Sequence, residues 1–198
     1  MDSSEIQVKV VLLGDTGVGK TSIAHNMARL NDIEELRPSV GVALTNIHSS
    51  YGGHAFDLRL WDTAGQEIYR SLPEQNVRNA DISLLVFSIS EEKSYTELSE
   101  FLRLARDWNP DIPLIFVGNK CDLEENRVID RNAAASYADS FNGSYVEVSA
   151  LTGFNIQVLL NTIMLKYLKA HPTQELRDNQ DHIDLSQTKE NGAKGCEC

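Results

Sequence analysis

A strand-like run that leads through a glycine-bounded loop into a helix-like run constrains the fold of this chain most. Residues 6–13 are mostly β-branched and apolar and end in near-continuous hydrophobicity, which is typical of a strand buried in a parallel sheet. Gly14 and Gly19 bound the loop, and helical periodicity follows from Lys20 to about Leu30. Such a loop can wrap a phosphate group, because its N–H groups form an anion nest and the helix N-terminus adds positive potential.

The spacing Gly14-x-x-x-x-Gly19-Lys20-Thr21 matches the P-loop pattern of nucleotide-binding proteins. Lys20 is predicted to reach the β- and γ-phosphates as a catalytic residue, and the Thr21 hydroxyl is predicted to ligate Mg²⁺. A glycine-rich turn without a ligand is the alternative, and the strand before the loop and the helix after it disfavour that alternative. The residues predicted to surround the phosphates are Asp15, Thr16, Gly17, Val18, Gly19, Lys20, Thr21 and Ser22.

Strand-like and helix-like segments alternate along the chain as far as residue 170. The predicted strands are 6–13, 42–49, 55–61, 82–89, 113–117 and 145–148. The predicted helices are 20–30, a stretch with helical spacing at 95–105, 133–141 and 156–167. The alternation predicts an α/β, P-loop NTPase fold with a six-stranded, mostly parallel sheet and helices on both faces. Strands 42–49 and 55–61 flank a turn and are predicted to form one antiparallel edge hairpin.

A short polar motif follows the strand predicted at 113–117 and points to guanine as the base. The Asp122 carboxylate can accept hydrogen bonds from the guanine N1–H and N2 amino groups, whereas adenine offers no such donor pair. The Lys120 stem can pack along the base plane, and Asn119 can brace the loop. After the last predicted strand come Ser149, Ala150 and Leu151, where a backbone N–H, that of Ala150, can donate to guanine O6. Taken alone, each motif also fits an ordinary surface loop.

The third predicted strand ends at Trp61 and continues into a polar segment with three candidate roles. Asp62 can hold Mg²⁺ through water, as the carboxylate at this position does in P-loop enzymes. The Gly65 N–H can bond the γ-phosphate, and Gln66 can orient the attacking water as a catalytic residue. A solvated turn is the alternative for this segment.

Composition bounds the remaining possibilities. The 198 residues suggest one domain with a tail, and no run reaches the ~18 apolar residues that a membrane-spanning helix needs. An acidic N-terminus without an apolar stretch predicts a cytosolic protein. A net charge of −11 disfavours nucleic acid as a partner, because that binding depends on many Lys and Arg contacts to phosphate. Three cysteines do not form a disulfide framework.

These motifs, in this order over about residues 6–170, resemble the Ras superfamily of small GTPases. Residues 40–44, 58–67 and 69–72 are similar to segments of the Rab family. The resemblance implies that GTP and GDP alternate in the site with Mg²⁺, and that residues ~31–41 and ~65–79 are the two switches. At the position of the family's switch threonine stands Ser39, which would bind the nucleotide and complete the Mg²⁺ shell.

The C-terminal Cys196-Glu197-Cys198 is similar to the doubly geranylgeranylated end of many Rab proteins. The resemblance implies a small GTPase domain at 1–171 and a disordered, hypervariable tail at 172–198 with Cys196 and Cys198 as lipidation sites. Two exposed thiols are the alternative. The tail has six acidic and three basic residues and so lacks a polybasic patch, which leaves anchoring to the lipids alone. The implied location is the cytosolic face of endomembranes, with a soluble cytosolic pool.

The implied partners are a guanine-nucleotide exchange factor, a GTPase-activating protein, effectors, and the prenylation escort and GDP-dissociation inhibitor proteins. Several residues depart from the family pattern. Ser39 replaces threonine, residues 31–38 lack an aromatic residue to cover the base, residues 75–80 lack the usual tyrosine pair, and Leu151 replaces a lysine. Arg37 fits a solvated loop better than an internal arginine finger, so an activating partner is expected to supply the arginine.

The expected function is a switch that hydrolyses GTP slowly and regulates vesicle and membrane trafficking through nucleotide-dependent effector binding. A hydrolysis-deficient or atypical GTPase scaffold is the alternative that Ser39 and the missing aromatic residue favour. An adenine-specific P-loop enzyme is a third hypothesis, against which Asp122 argues.

Overall fold

The computed structural model describes residues 5–30, 42–63 and 79–172, which form a six-stranded sheet with surrounding helices. The strands are β1 (Ile6–Leu13), β2 (Val42–Tyr51), β3 (His54–Thr63), β4 (Ile82–Ser88), β5 (Leu114–Asn119) and β6 (Ser144–Glu147). They lie in the order β2-β3-β1-β4-β5-β6, and every neighbouring pair is parallel except β2 and β3. The predicted mostly parallel sheet with one antiparallel edge hairpin is therefore confirmed.

The edge hairpin closes through a tight turn at two glycines. Gly52 and Gly53 have φ angles of +59° and +82°, the left-handed conformation that a two-residue type I′ turn requires and that glycine adopts without strain. Because the turn is this short, β2 continues to Tyr51 and β3 begins at His54. Both strands are therefore longer at the turn than the sequence pattern predicts.

Helices cover both faces of the sheet, as predicted. They are α1 (Lys20–Arg29), α2 (Glu92–Thr96), α3 (Leu98–Trp108), α4 (Arg131–Ser140) and α5 (Ile156–Ala170). Side chains of β1 alternate between two cores: Val10 and Leu12 pack with α1 and α5, whereas Val11 and Leu13 pack with α3 and α4. Each such side chain is fully buried and contributes about 1.5–3 kcal/mol of hydrophobic stabilisation.

The helices of the structure differ from the predicted helices at three places. The predicted helical stretch 95–105 is two helices, α2 and α3, with Glu97 between them. The helix predicted at 133–141 begins two residues earlier, because the Asp130 carboxylate caps it by accepting the Ala133 N–H at 2.9 Å. A 3₁₀ helix at Cys121–Asn126 was not predicted.

The topology places the loop after β1 at the switch point of the sheet. From β1 the sheet extends to β3 on one side and to β4 on the other. In open α/β sheets, ligands bind at this point, beyond the carboxyl ends of the strands. α5 ends at Ala170, and the predicted boundary between 1–171 and 172–198 remains a prediction because residues 173–198 lie outside the described ranges. Among the described helices, none has the length and apolar character needed to cross a bilayer.

Candidate functional site

The loop between β1 and α1 approaches neighbouring backbone and side chains so closely that glycine is required at both ends. Gly14 has φ +149°, and a Cβ there would lie 2.1 Å from the carbonyl oxygen of Val86 in β4. Gly19 has φ +98°, and a Cβ there would lie 2.2 Å from Nδ2 of Asn119 at the end of β5. Larger residues would separate the loop from these two strands and deform the nest of N–H groups.

The amino end of α1 presents N–H groups that have no acceptor inside the helix. Gly19 caps the helix without a side-chain hydrogen bond, and the first turn contains no acidic residue. The first helical bond runs from the Ile23 N–H to the Gly19 carbonyl at 2.9 Å. The N–H groups of residues 20–22 therefore have no helical acceptor, and they carry the positive end of the helix dipole. This arrangement favours an anion such as phosphate.

Lys20 is held at the mouth of the loop with its ammonium group buried. The side chain is 6% exposed, and Nζ donates to the carbonyls of Gly14 and Asp15 at 2.8 Å each. Burial lowers the pKa of Lys20, and the carboxylates of Asp62 and Asp15 oppose that effect. An ammonium group has three donors, so one remains for a further acceptor. A phosphate oxygen would supply both that acceptor and a compensating charge.

Thr21 and Asp62 form the part of the predicted magnesium site that the structure describes. The Thr21 hydroxyl donates to Oδ2 of Asp62, whereas Oδ1 is buried without a hydrogen-bond partner among the described residues. Burial raises the pKa of Asp62, while Thr21 and Lys20 act in the opposite direction. A buried carboxylate oxygen without a partner is destabilised unless a cation or water completes it. Two hard oxygen ligands side by side fit Mg²⁺.

Asp15 contacts Lys93, which lies in α2. Its carboxylate accepts the Thr16 N–H at 2.6 Å and a bond from Nζ of Lys93 at 3.3 Å. Although burial opposes the shift, these contacts lower the pKa of Asp15. The Thr16 N–H is thus engaged by a neighbouring side chain, while Thr16 itself is exposed.

Asn119 connects the phosphate loop to the loop after β6. Its side chain is 2% exposed. Nδ2 donates to the Val18 carbonyl at 2.7 Å, and Oδ1 accepts the Ala150 N–H at 3.0 Å. The predicted bracing role of Asn119 therefore has a specific geometry. The Ala150 N–H, which the sequence predicts to donate to guanine O6, donates to Asn119 in this structure.

Asp122 lies beside the loop after β6, where both predicted base contacts meet. The Ser149 hydroxyl donates to Oδ1 of Asp122 at 2.6 Å, and the Cys121 N–H donates to the Val148 carbonyl at 3.2 Å. Ser149 is fully buried, whereas Asp122 is exposed and keeps its second oxygen available for the two guanine donors. From α1, Asn26 donates to the Ala150 carbonyl.

Glu147 anchors this corner of the site from the end of β6. It is 6% exposed and accepts bonds from Arg127 at 2.9 and 3.0 Å, from Arg131, and from the Tyr145 hydroxyl at 2.7 Å. Although burial alone would raise it, these partners lower the pKa of Glu147 to about 2. The network joins the end of the 3₁₀ helix that contains Asp122 to the strand that precedes Ser149.

The structure brings most of the predicted residues together at one edge of the sheet. Ser39, Gly65, Gln66, Cys196 and Cys198 lie outside the described residues, as does Arg37. Ser22 and Gly17 are exposed at the loop, Lys120 is half-buried with φ +65°, and Leu151 is 83% exposed.

Sequence reasoning missed two supports of the site, Asn26 and the Glu147 network. The sequence did indicate a role for Glu147, because a carboxylate inside an otherwise apolar predicted strand must find cationic or hydrogen-bonding partners. The sequence did not indicate a role for Asn26, because nothing in the local pattern of α1 points to a contact 124 residues away.

Known proteins are similar to this chain over the region that contains the site. The model of the Ras family matches residues 9–169. The Ras-related protein Rab7 of Pisum sativum is 33% identical over 199 residues, which span 96% of this chain and 96% of that protein. RABG3f of Arabidopsis thaliana is 33% identical over 199 residues, again 96% of each chain. RABG3d of the same plant is 32% identical over 201 residues, 98% of this chain and 97% of that protein.

Proposed function

Because this chain belongs to the Rab small GTPases of the Ras family, we propose that it is a guanine-nucleotide switch that governs a vesicle-trafficking step. Membership of the family implies GTP and GDP binding with Mg²⁺ and GTPase activity in general. One observation carries the proposal for this chain: Asp122, Asn119 and Ala150 converge at one end of the site that holds Lys20 and Thr21 at the other. The spacing supports a base at one end and phosphates at the other.

The phosphates are held by the N–H groups of the loop at 14–19, by the start of α1 and by Lys20. Thr21 and Asp62, together with Ser39, are the proposed ligands of Mg²⁺, which when bound neutralises charge that develops on the β- and γ-phosphates. The unpaired Oδ1 of Asp62 supports this assignment. Asp122 supplies guanine selectivity, since adenine would leave its carboxylate unpaired.

In the proposed reaction Gln66 orients the attacking water, and Lys20 and the Gly65 N–H stabilise charge on the γ-phosphate. The water oxygen bonds to the γ-phosphorus while the bond from that phosphorus to the β–γ bridging oxygen breaks. GDP leaves with the bridging oxygen, and the protons of the water pass to the released inorganic phosphate and to solvent. A GTPase-activating protein is proposed to supply an arginine to the γ-phosphate, worth about 10³–10⁵ in rate.

The proposed cellular role rests on the C-terminal cysteines and the switches. Prenyl groups on Cys196 and Cys198 would hold the protein at the cytosolic face of endomembranes, with escort and GDP-dissociation inhibitor proteins maintaining a soluble pool. An exchange factor would load GTP, and effectors would bind the GTP form.

Two experiments test this proposal. A competition assay measures displacement of a fluorescent GDP analogue by GTP and by ATP, and preferential displacement by ATP would refute the guanine assignment.

A pull-down then compares Gln66→Leu loaded with GTP against wild-type protein loaded with GDP. Partners retained only by the GTP form support a switch, whereas identical partners in both states would support the hydrolysis-deficient scaffold.

A further inference from the structure

A second pocket lies at the end of the sheet opposite the nucleotide site. It occupies about 540 Å³ at the amino ends of β5 and β6, between the ends of α3 and α5. Its polar and chain-end lining consists of Arg106, Asp111, Asn142, Lys166, Lys169 and Ala170. We name it the basic pocket. Its volume is within the usual range for small-molecule sites, ~300–1,000 Å³.

The basic pocket concentrates positive charge in an acidic protein. Three cationic side chains and one carboxylate line it, although the chain as a whole carries a net charge of −11. In the described part of the chain, Arg106, Lys166 and Lys169 have no carboxylate within ion-pair distance. By contrast, Arg127 and Arg131 both pair with Glu147. The three cations therefore have no ion-pair partner among the residues that the structure describes.

Neutral acceptors hold two of these cations in place. Lys166 Nζ donates to the Asn142 carbonyl at 3.0 Å and to the Ser144 hydroxyl at 3.3 Å. Arg106 donates to the carbonyls of Pro110 and Phe141. An ammonium group has three donors and a guanidinium five, so both heads keep donors for a further acceptor. The carbonyls orient the heads but leave their charge uncompensated.

The charges around Lys166 favour the binding of an anion. Burial lowers its pKa, and the charge of Lys169 acts in the same direction. An anion between the two ammonium groups would offset that repulsion and raise the pKa of Lys166. A dianion would gain more than a carboxylate, because it brings two negative charges rather than one to the same three cations.

We propose that the basic pocket binds a phosphate monoester through Arg106, Lys166 and Lys169, on a soluble compound or a phosphorylated lipid headgroup. This site is independent of the proposed nucleotide site, from which the length of the parallel strands separates it. Ala170 lines the pocket two residues before the described chain ends at Pro172, so the segment that carries Cys196 and Cys198 departs from beside it. That position makes a headgroup reachable if the cysteines are lipidated.

The test uses full-length protein with excess GDP and Mg²⁺, which occupies any nucleotide site. Calorimetric titration with inositol trisphosphate should give one saturable site that weakens as salt rises. Lys166→Gln and Arg106→Gln should each weaken binding about tenfold or more, since each removes a charge-assisted hydrogen bond. Asp111→Asn should tighten binding, because Asp111 is the only carboxylate among the described residues of the lining.

Arg103→Gln is the matched control for Arg106→Gln. Arg103 lies one turn earlier on α3, is 75% exposed and pairs with Asp107 at 3.8 Å, outside the pocket. Arg103→Gln changes the net charge by the same amount as Arg106→Gln and should leave the affinity for inositol trisphosphate unchanged. Circular dichroism of each variant verifies folding, and Lys166→Arg, which keeps the charge, should retain most of the affinity.

The two sources are separated with vesicles of phosphatidylcholine that contain either phosphatidylinositol phosphate or phosphatidylserine. Binding only to the phosphorylated lipid supports a headgroup ligand, and binding to soluble inositol trisphosphate without vesicle binding supports a soluble one. No binding to either, or an equal loss in Arg103→Gln and Arg106→Gln, would overturn the proposal. Failure of the wild-type protein to bind GDP would refute the proposed function, whereas the binding of inositol trisphosphate would still support the basic pocket.

Discussion

Replacement of Glu147 by glutamine removes one charge from a buried network without creating a cavity. The carboxylate is 6% exposed and accepts bonds from Arg127, Arg131 and Tyr145. In Glu147→Gln, the Arg127 guanidinium, whose side chain is 15% exposed, would keep only its ion pair with Glu124. We therefore expect a large loss of stability from a substitution that preserves volume.

Two independent estimates give the same size of effect. Partners lower the pKa of Glu147 from 4.5 to about 2, and such a difference corresponds to about 3 kcal/mol of stabilisation at neutral pH. Removing one partner of a buried ion pair costs about 3–5 kcal/mol. For a domain of this size, 3 kcal/mol lowers Tm by about 6–12 °C.

The sign of the pH dependence follows from the lowered pKa. A carboxylate of this kind contributes its full stability above its unfolded pKa of 4.5 and loses it as pH falls toward about 2. The difference in stability between wild type and Glu147→Gln should therefore be constant near neutral pH and shrink below pH 4.5.

The assay is urea unfolding of both proteins at neutral pH and at a series of acidic pH values, each with the same excess of GDP. Glu124→Gln is the matched control, because Glu124 is 65% exposed and its pairing with Arg127 is screened by solvent. It should change the unfolding midpoint little. A loss below about 1 kcal/mol in Glu147→Gln, or a loss that is unchanged at acidic pH, would refute the reasoning.

Three further predictions concern the nucleotide site. Asn119→Ala removes the bonds to Val18 and from Ala150, each worth about 1 kcal/mol, and should speed release of a fluorescent GDP analogue about tenfold or more; an unchanged release rate would contradict the bracing role. Gly19→Ala places a Cβ 2.2 Å from Asn119 Nδ2 at φ +98°, and GDP should no longer raise its Tm; a normal thermal shift would show that the loop tolerates a side chain. Asp62→Asn removes a carboxylate with an unpaired buried oxygen, so Mg²⁺ should no longer slow GDP release; the same response to EDTA as wild type would argue against Asp62 as a ligand.

The elements that sequence predicted well are those encoded by local pattern. The spacing of Gly14 and Gly19 is a local motif, and the structure adds that each glycine makes room for a distant residue, Val86 or Asn119. The alternation of Val10, Val11, Leu12 and Leu13 between two cores follows from continuous hydrophobicity in a strand buried on both faces.

The elements that sequence missed depend on distant partners or on a single side chain. The start of α4 is set by the capping carboxylate of Asp130. The spacing of apolar residues, from which the helix was predicted, does not include this polar side chain. The tie from Asn26 to Ala150 joins residues that only the fold brings together. The same holds for the basic pocket, because Arg106 and Lys166 are unremarkable in their own helices and become a cluster only where α3 and α5 end together.

Single-turnover hydrolysis of bound GTP tests the central claim most directly. Protein loaded with GTP is mixed with Mg²⁺, and phosphate release is followed in wild type and in Gln66→Leu. A switch of this family is expected to release phosphate slowly in the wild type and more slowly in Gln66→Leu, with GTP binding intact in both. No release over hours, or equal release from the two proteins, would contradict the account.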